Sequence, residues 1–356
     1  MKLNLLFLCS QILISSIAMT QDLSAIDSLF TKYQGENTPG ASVMVIREGE
    51  IILRKNYGYA DLESGIKVES STNFRLASVS KQFTATCILQ LVSIGRLSLD
   101  NNLTEIFPGF PDYGKTITVK HLLNHSSGIE DYEDHVSDTA FNPQIKDKGV
   151  LEIVSKLSNG YFEPGTRYRY SNTAYALLAL TVEKYSGKSF GEYLSEKIFR
   201  PLKMDESIAY EKGLNEVKQR AYGYSISDGK WVRKDQSSTS AVLGDGGIYS
   251  SAEDLYKWDQ ALHQGKVLPL ALVQESMEYN RFNDGSAYPY GYGWHLKKWN
   301  DHQVVYHTGS STSFRNIFYR IPALKLSIII LTNRNRPEEE DMVPLAESVL
   351  PLVIKQ

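Results

Sequence analysis

The chain has 356 residues, of which 42% are hydrophobic and 22% charged, with a formal net charge of -3. That content supports one large domain or two intimately packed ones and argues against disorder. No cluster of Lys and Arg is present to match a phosphate backbone, so nucleic acid is not an expected partner.

The N-terminus carries one early cation, Lys2, then an apolar run from Leu3 to Ile17 interrupted by Cys9, Ser10, Gln11, Ser15 and Ser16, and ends in Ala18-Met19-Thr20. This pattern predicts a secretory signal peptide over residues 1–20, too short for a membrane span. Residues 21–356 are then an exported domain, periplasmic or secreted, and not an integral membrane protein. Cys9 follows Leu8 and lies too early for a lipoprotein anchor. Beyond the signal only Cys87 remains, which excludes an intramolecular disulfide and suits a small core residue.

Asp22 to Tyr33 has apolar residues at Leu23, Ile26, Leu29 and Phe30, the spacing of an amphipathic helix. Ala41 to Arg47 and Ile51 to Tyr57, around Glu48-Gly49-Glu50, predict an antiparallel hairpin. A further extended piece precedes Phe74. From Val79 to Ile94 there is neither Gly nor Pro and most of the circumference is apolar, which predicts a buried helix closed by Gly95.

Between Asp100 and about Asp235 helical patterns predominate, clearest at Val119–Leu123, Val150–Leu157, Ala174–Tyr185 and Phe190–Phe199, and this block is expected to be all-helical. Helices follow at Ser251–Leu262 and Pro269–Tyr279. Strands are then predicted at Gly293–Trp299, Val304–His307, Phe314–Ile321 and Leu326–Thr332, with a terminal helix over Glu338–Lys355 despite Pro344 and Pro351. The most economical arrangement is α+β: one antiparallel sheet flanked by helices, with the sheet part from about 21–77 and 245–356 and an inserted helical part from about 78–244.

Three segments have the residue types for chemistry. Ser78 and Lys81 are three apart at the start of the buried helix, so the amine reaches the hydroxyl. A lysine forced into that interior loses hydration in its charged form and becomes a base near neutral pH. Ser-x-x-Lys also occurs at Ser64–Lys67 and Ser227–Lys230, but both span turns. Taken alone, Ser78 also reads as a helix cap. The second segment, Tyr170-Ser171-Asn172, leads from a turn-rich loop into the Ala174 helix, where a phenol and a carboxamide can face a cleft. Its plainer reading is Asn172 as an N-cap and Tyr170 as packing. The third, His307-Thr308-Gly309-Ser310, is expected where a strand ends, with Gly309 letting substrate backbone approach.

Other matches are weaker. Gly187-Lys188-Ser189-Phe190-Gly191 fits the Gly-x-Ser-x-Gly elbow, but a helix precedes it where a strand is required. Gly187 as a helix stop and Ser189 as the next cap fit better. His121 and His125 are i,i+4, yet a zinc protease's glutamate after the first histidine is missing. No metal or cofactor is expected.

With these segments in place the chain resembles the serine β-lactamase and penicillin-binding protein superfamily, in the branch of class C β-lactamases, DD-carboxypeptidases and related esterases. The resemblance rests on Phe74 to Lys81, His121 to Gly128, Pro164-Gly165-Thr166 through Asn172, Ile198 to Leu202, Gly246 to Ser250 and His307-Thr308-Gly309. It implies a β-lactamase/transpeptidase-like fold with the site between sheet and helices. It also implies Ser78 as nucleophile, Lys81 and Tyr170 as the proton-transfer pair, Asn172 as a substrate-amide contact, and His307 and Thr308 lining the cleft. The backbone amides of Ser78 and Ser310 would form the oxyanion hole. Two departures stand out. His307 occupies the place of the class C lysine, so that either the cleft offers a weaker, pH-dependent positive charge or His307 merely hydrogen-bonds Tyr170, and Lys203 stands where the family usually has Gly. The expected substrates are small amides or esters, with peptidoglycan-type D-alanyl peptides first. The alternatives are a class C-type β-lactamase and a penicillin-binding sensor or scaffold without turnover.

Overall fold

A computed structural model describes residues 25–136, 144–335 and 341–354, so the expected signal segment lies outside the described residues. The hairpin Ala41–Arg47 (β1) and Glu50–Tyr57 (β2) joins His295–Trp299 (β3), His302–Ser311 (β4), Phe314–Ile321 (β5) and Leu326–Thr332 (β6) in one antiparallel sheet. Its order is β3-β4-β5-β6-β1-β2, so the first strand of the chain pairs with the last, Ala41 opposite Thr332 and Arg47 opposite Leu326.

Both faces of this sheet are covered, which is why β1 and β6 read as near-continuous apolar runs. Val43, Val45, Ile328 and Ile330 face one core with Leu345, Val349 and Leu350 of the terminal helix. Met44, Ile46, Ile329 and Leu331 alternate with them and face the other core, shared with Ile88, Leu255 and Trp258.

The principal helices are Lys81–Ser93 (α1), Asn172–Ser186 (α2), Ala252–Gln264 (α3) and Met342–Val353 (α4). The Ser171 hydroxyl caps α2 at Ala174 N, and Gly187 ends it at φ 73°. In α4, Pro344 falls in the first turn, where its missing N–H costs little, and Pro351 falls in the last.

The block from Asp100 to Asp235 is not all-helical. Tyr224–Ser227 and Lys230–Arg233 form a hairpin around Asp228-Gly229, and Ile208–Ala209 pairs with Ile248–Ser250. The hairpin's turn has positive φ at Asp228 and Gly229, a local geometry that overrode the helical surroundings. The strand containing His307 does not end there but runs on to Ser311.

Lys203 has φ 56°, a left-handed conformation that glycine adopts without strain. Lys203→Gly is expected to stabilise the protein by about 0.5–1 kcal/mol, the relief of left-handed strain less the added freedom of an unfolded glycine. A urea midpoint that stays put or falls, at unchanged m, would count against that account.

Candidate active site

From Thr72 to Leu89 every residue is buried except Ser78. Ser78 lies in a 3-10 turn, Ala77–Ser80, that leads directly into α1. Three residues make one 3-10 turn, so Ser78 and Lys81 lie on one face. Ala77 is held at φ 50°, a left-handed strain of the kind that collects at functional turns. The sheet fixes this turn from below: Asn316 on β5 donates its amide to Arg75 O at 2.8 Å and to Leu76 O at 3.3 Å.

Lys81 Nζ has three neighbours: Ser78 Oγ at 3.2 Å, Asn172 Oδ1 at 2.8 Å and Asp245 O at 2.9 Å. The last two can only accept. A neutral lysine has two N–H groups and one lone pair, so with its donors spent on Asn172 and Asp245 the lone pair is left for the Ser78 hydroxyl. Burial is the main force on this amine and lowers its pKa to about 8, against the opposing fields of Asp245, Asp131 and Glu133.

Tyr170 stands beside the pair, with Lys81 Nζ 4.8 Å from its ring centroid. Its hydroxyl is buried without a well-formed hydrogen bond, although Ser78 lies near enough to ease its ionisation. Burial nevertheless holds the phenol far above its ordinary range, so it is neutral and carries a proton it can pass on. His125 packs 4.4 Å from the Tyr170 ring and accepts from Ser171 N through Nδ1 at 3.1 Å. It lies beyond the end of the helix Val119–Leu123, at φ 61°, rather than on it, so the i,i+4 pairing with His121 does not occur on a helix.

Asn172 is oriented at both ends. Its Oδ1 faces Lys81, and its Nδ2 donates to Glu133 Oε2 at 3.1 Å, leaving one amide N–H for a substrate. Ser78, Asn172 and Ser310 share a cleft of about 240 Å³ with Arg75, Glu133 and Asp245. A larger cavity of about 440 Å³ lies at Ser189, but there the serine hydroxyl is committed to a capping box with Glu192, and Lys188 to an exposed ion pair with Glu196. The Ser78 cleft is therefore the chemically competent one.

Two expectations for the third segment need correction. The His307 side chain is buried and does not line this cleft. Its Nδ1 donates to Thr308 O at 2.6 Å, which leaves Nε2 to accept from Tyr290 OH at 3.1 Å. Burial, helped by His295 and Lys81, pushes its pKa well below the ordinary histidine value, so it supplies no positive charge near neutral pH. Gly309 does not make room for substrate either. A Cβ there would lie 2.0 Å from Leu76 O, so the glycine admits the chain's own Ser78 turn against β4. Thr308 is half-buried and outside the cleft lining, whereas Ser310 is exposed and within it.

The sequence reading missed Asp245, Glu133 and Tyr132. Asp245 adjoins the Gly246-Gly247 segment, and that adjacency was the only signal for it.

A buried amine aimed at an accessible serine, at the junction of an antiparallel sheet and a helical block, defines the serine hydrolases as the class. The model of the family described as Beta-lactamase matches residues 26–349, and the chain belongs to that family. It is 30% identical over 347 residues to Penicillin-binding protein 4* of Bacillus subtilis, covering 91% of this chain and 75% of that one. Protein flp of Staphylococcus aureus is 28% identical over 85% of this chain, which spans only 61% of that relative's length. Among solved structures, a penicillin-binding protein homologue from Pyrococcus abyssi aligns with a TM-score of 0.80 at 27% identity, over 93% of this chain and 77% of the other. The D-amino acid amidase of Ochrobactrum anthropi SV3 aligns with a TM-score of 0.75 at 22% identity, over 93% and 95% respectively, a likeness of fold.

Proposed function

We propose that the protein hydrolyses small amides or esters through a Ser78 acyl-enzyme, in the manner of a D-alanyl-peptide carboxypeptidase or an esterase. The observation that carries this reading is the Lys81 nitrogen, whose one hydrogen-bonded neighbour able to give up a proton, among the described residues, is the Ser78 hydroxyl. Ser78 Oγ attacks the carbonyl carbon while its proton passes to Lys81 Nζ. The Tyr170 phenol delivers its proton to the leaving atom and takes the one held on Lys81 Nζ in return, and the amides of Ser78 and Ser310 hold the oxyanion. Water then attacks the acyl carbon, giving a proton to the same pair, which returns it to Ser78 Oγ as that oxygen leaves.

A cleft of about 240 Å³ suits a small acyl donor. The relatives named for penicillin binding support β-lactams as slow acylating agents. Among the described residues no helix is long and apolar enough to cross a membrane. The apolar run at Leu3 to Ile17 supports export, and with it access to peptidoglycan fragments as substrates.

The test is kcat/KM for p-nitrophenyl esters, D-alanyl-D-alanine peptides and nitrocefin across pH. Activity is expected to rise with pH through a limb near 8, because below it Lys81 is protonated and cannot accept the serine proton. A limb only at the ordinary lysine value of about 10.4 would contradict a neutral Lys81. Preference for nitrocefin over every ester and peptide would make the protein a β-lactamase proper, and a burst without turnover would make it a sensor.

A further inference from the structure

The proton-transfer scheme leaves a buried acid unused. Asp245 sits in the turn Leu243–Gly246, is 7% exposed, and lines the Ser78 cleft. The turn that carries it is clamped by a second carboxylate: Asp147 accepts from Leu243 N at 2.9 Å and from Gly244 N at 3.0 Å. It lies tight against α2, where a Cβ on Gly244 would fall 2.1 Å from Tyr175 O. Asp245 thus meets Lys81 through its main chain, whose carbonyl accepts from Nζ at 2.9 Å. Its carboxylate Oδ2 accepts from the Tyr132 hydroxyl at 2.9 Å.

We propose that Asp245 is a positioning residue acting through Lys81: its carbonyl aims the amine, and its carboxylate, braced by Tyr132, sets the pH at which that amine becomes a free base. The proposal rests on Ser78 and Lys81 being the acyl-transfer pair.

The surrounding charges agree with this assignment. Asp245 is the first of the groups that hold the Lys81 proton on, ahead of Asp131 and Glu133 in the loop facing α2. The imidazoles nearest the amine, His125, His295 and His307, are all held below their ordinary range by burial and are neutral where Lys81 titrates. The phenols of Tyr132, Tyr170 and Tyr175 are pushed upward by burial and stay protonated. Arg75, the cleft's other cation, stacks 6.0 Å from the Tyr249 ring. Burial raises Asp245 itself to about 7, with Lys81 and the Tyr132 hydrogen bond opposing and Asp147 and Glu133 adding to the rise. Asp245 shares the cleft with the amine, and in its ionised form its field holds the Lys81 proton on.

The measurement is the titration of Lys81 followed by NMR in protein carrying [6-13C]lysine, its signal assigned by absence in Lys81→Arg, alongside the pH dependence of Ser78 labelling by a fluorophosphonate. In Asp245→Asn, which keeps the carbonyl and an acceptor for Tyr132, both midpoints are expected to fall by about one unit or more, as for loss of a nearby opposite charge. Labelling at pH 7 should then rise roughly fivefold. Tyr132→Phe lets Asp245 hold its proton more tightly and should move both midpoints the same way by less. That variant stands as an independent test if Asp245→Asn does not fold. An unmoved Lys81 titration in a folded variant overturns the proposal, even if labelling shows the acyl-transfer reading to be right. A titration that moves while no probe labels Ser78 leaves Asp245 in its role and removes the acyl-enzyme.

Discussion

Ser78→Ala is expected to lose at least about a thousandfold in kcat/KM and all covalent adduct on intact-mass analysis, while its melting curve stays close to wild type. The size follows from removing a nucleophile rather than a binding contact, where only residual catalysis by oxyanion contacts and binding survives. The fold should tolerate the change because Ser78 is the one accessible residue in its stretch and contributes a single hydrogen bond, to an amine that retains Asn172 and Asp245. A loss of about 0.5–1.5 kcal/mol is the scale for such a bond. Sustained hydrolysis or labelling in the variant would refute the assignment. Ser189 is not in reserve, since its hydroxyl donates to Glu192 at 2.8 Å in a helix cap.

The largest effect on stability is expected at Asp259, far from the chemistry. Its Oδ1 accepts from Arg320 Nε at 2.9 Å and from Ser327 Oγ at 2.6 Å, tying α3 to β5 and β6. The two charged side chains are only 1% and 2% exposed. Asp259→Ala strands a buried guanidinium, which costs about 3–5 kcal/mol. Glu253→Ala, which breaks an ion pair with Arg54 that is 40% and 47% exposed, should change stability by no more than about 1 kcal/mol. Urea unfolding of the two variants in parallel checks the contrast. Equal and small losses would mean that Arg320 finds another partner, and the account of this contact would be wrong.

Elements with a strong period were legible from the residues. Phe314–Ile321, Leu326–Thr332 and Val119–Leu123 have the bounds that pattern and flanking turns suggested, because the two strands are apolar runs buried on both faces and the helix buries one side through Val119, Leu122 and Leu123. The Ser78–Lys81 pair was legible from one helical turn, whereas Asn172 entered the site only through the family resemblance, its own local reading being a helix cap; its contact with Lys81 at 2.8 Å is set by the tertiary fold. Asp245, Glu133 and Tyr132 were not legible, because they come from turns whose position is set by long-range clamps such as Asp147 on Leu243. His307 and Gly309 were found but misread. Position along a strand does not say which face a side chain takes when both faces are covered, so a buried imidazole and a glycine against Leu76 passed for cleft groups.

The pairing of β1 with β6 also bears on how the protein is made. A ribosome delivers the Ala41 strand early, yet its partner at Thr332 emerges only when nearly the whole chain has been synthesised. Until then β1 and β2 are a lone hairpin with an apolar edge, marginal in water and open to mispairing with other chains. A nascent chain of this topology cannot complete its sheet until Leu326–Thr332 has emerged, so the Ala41 edge stays without its native partner for most of synthesis.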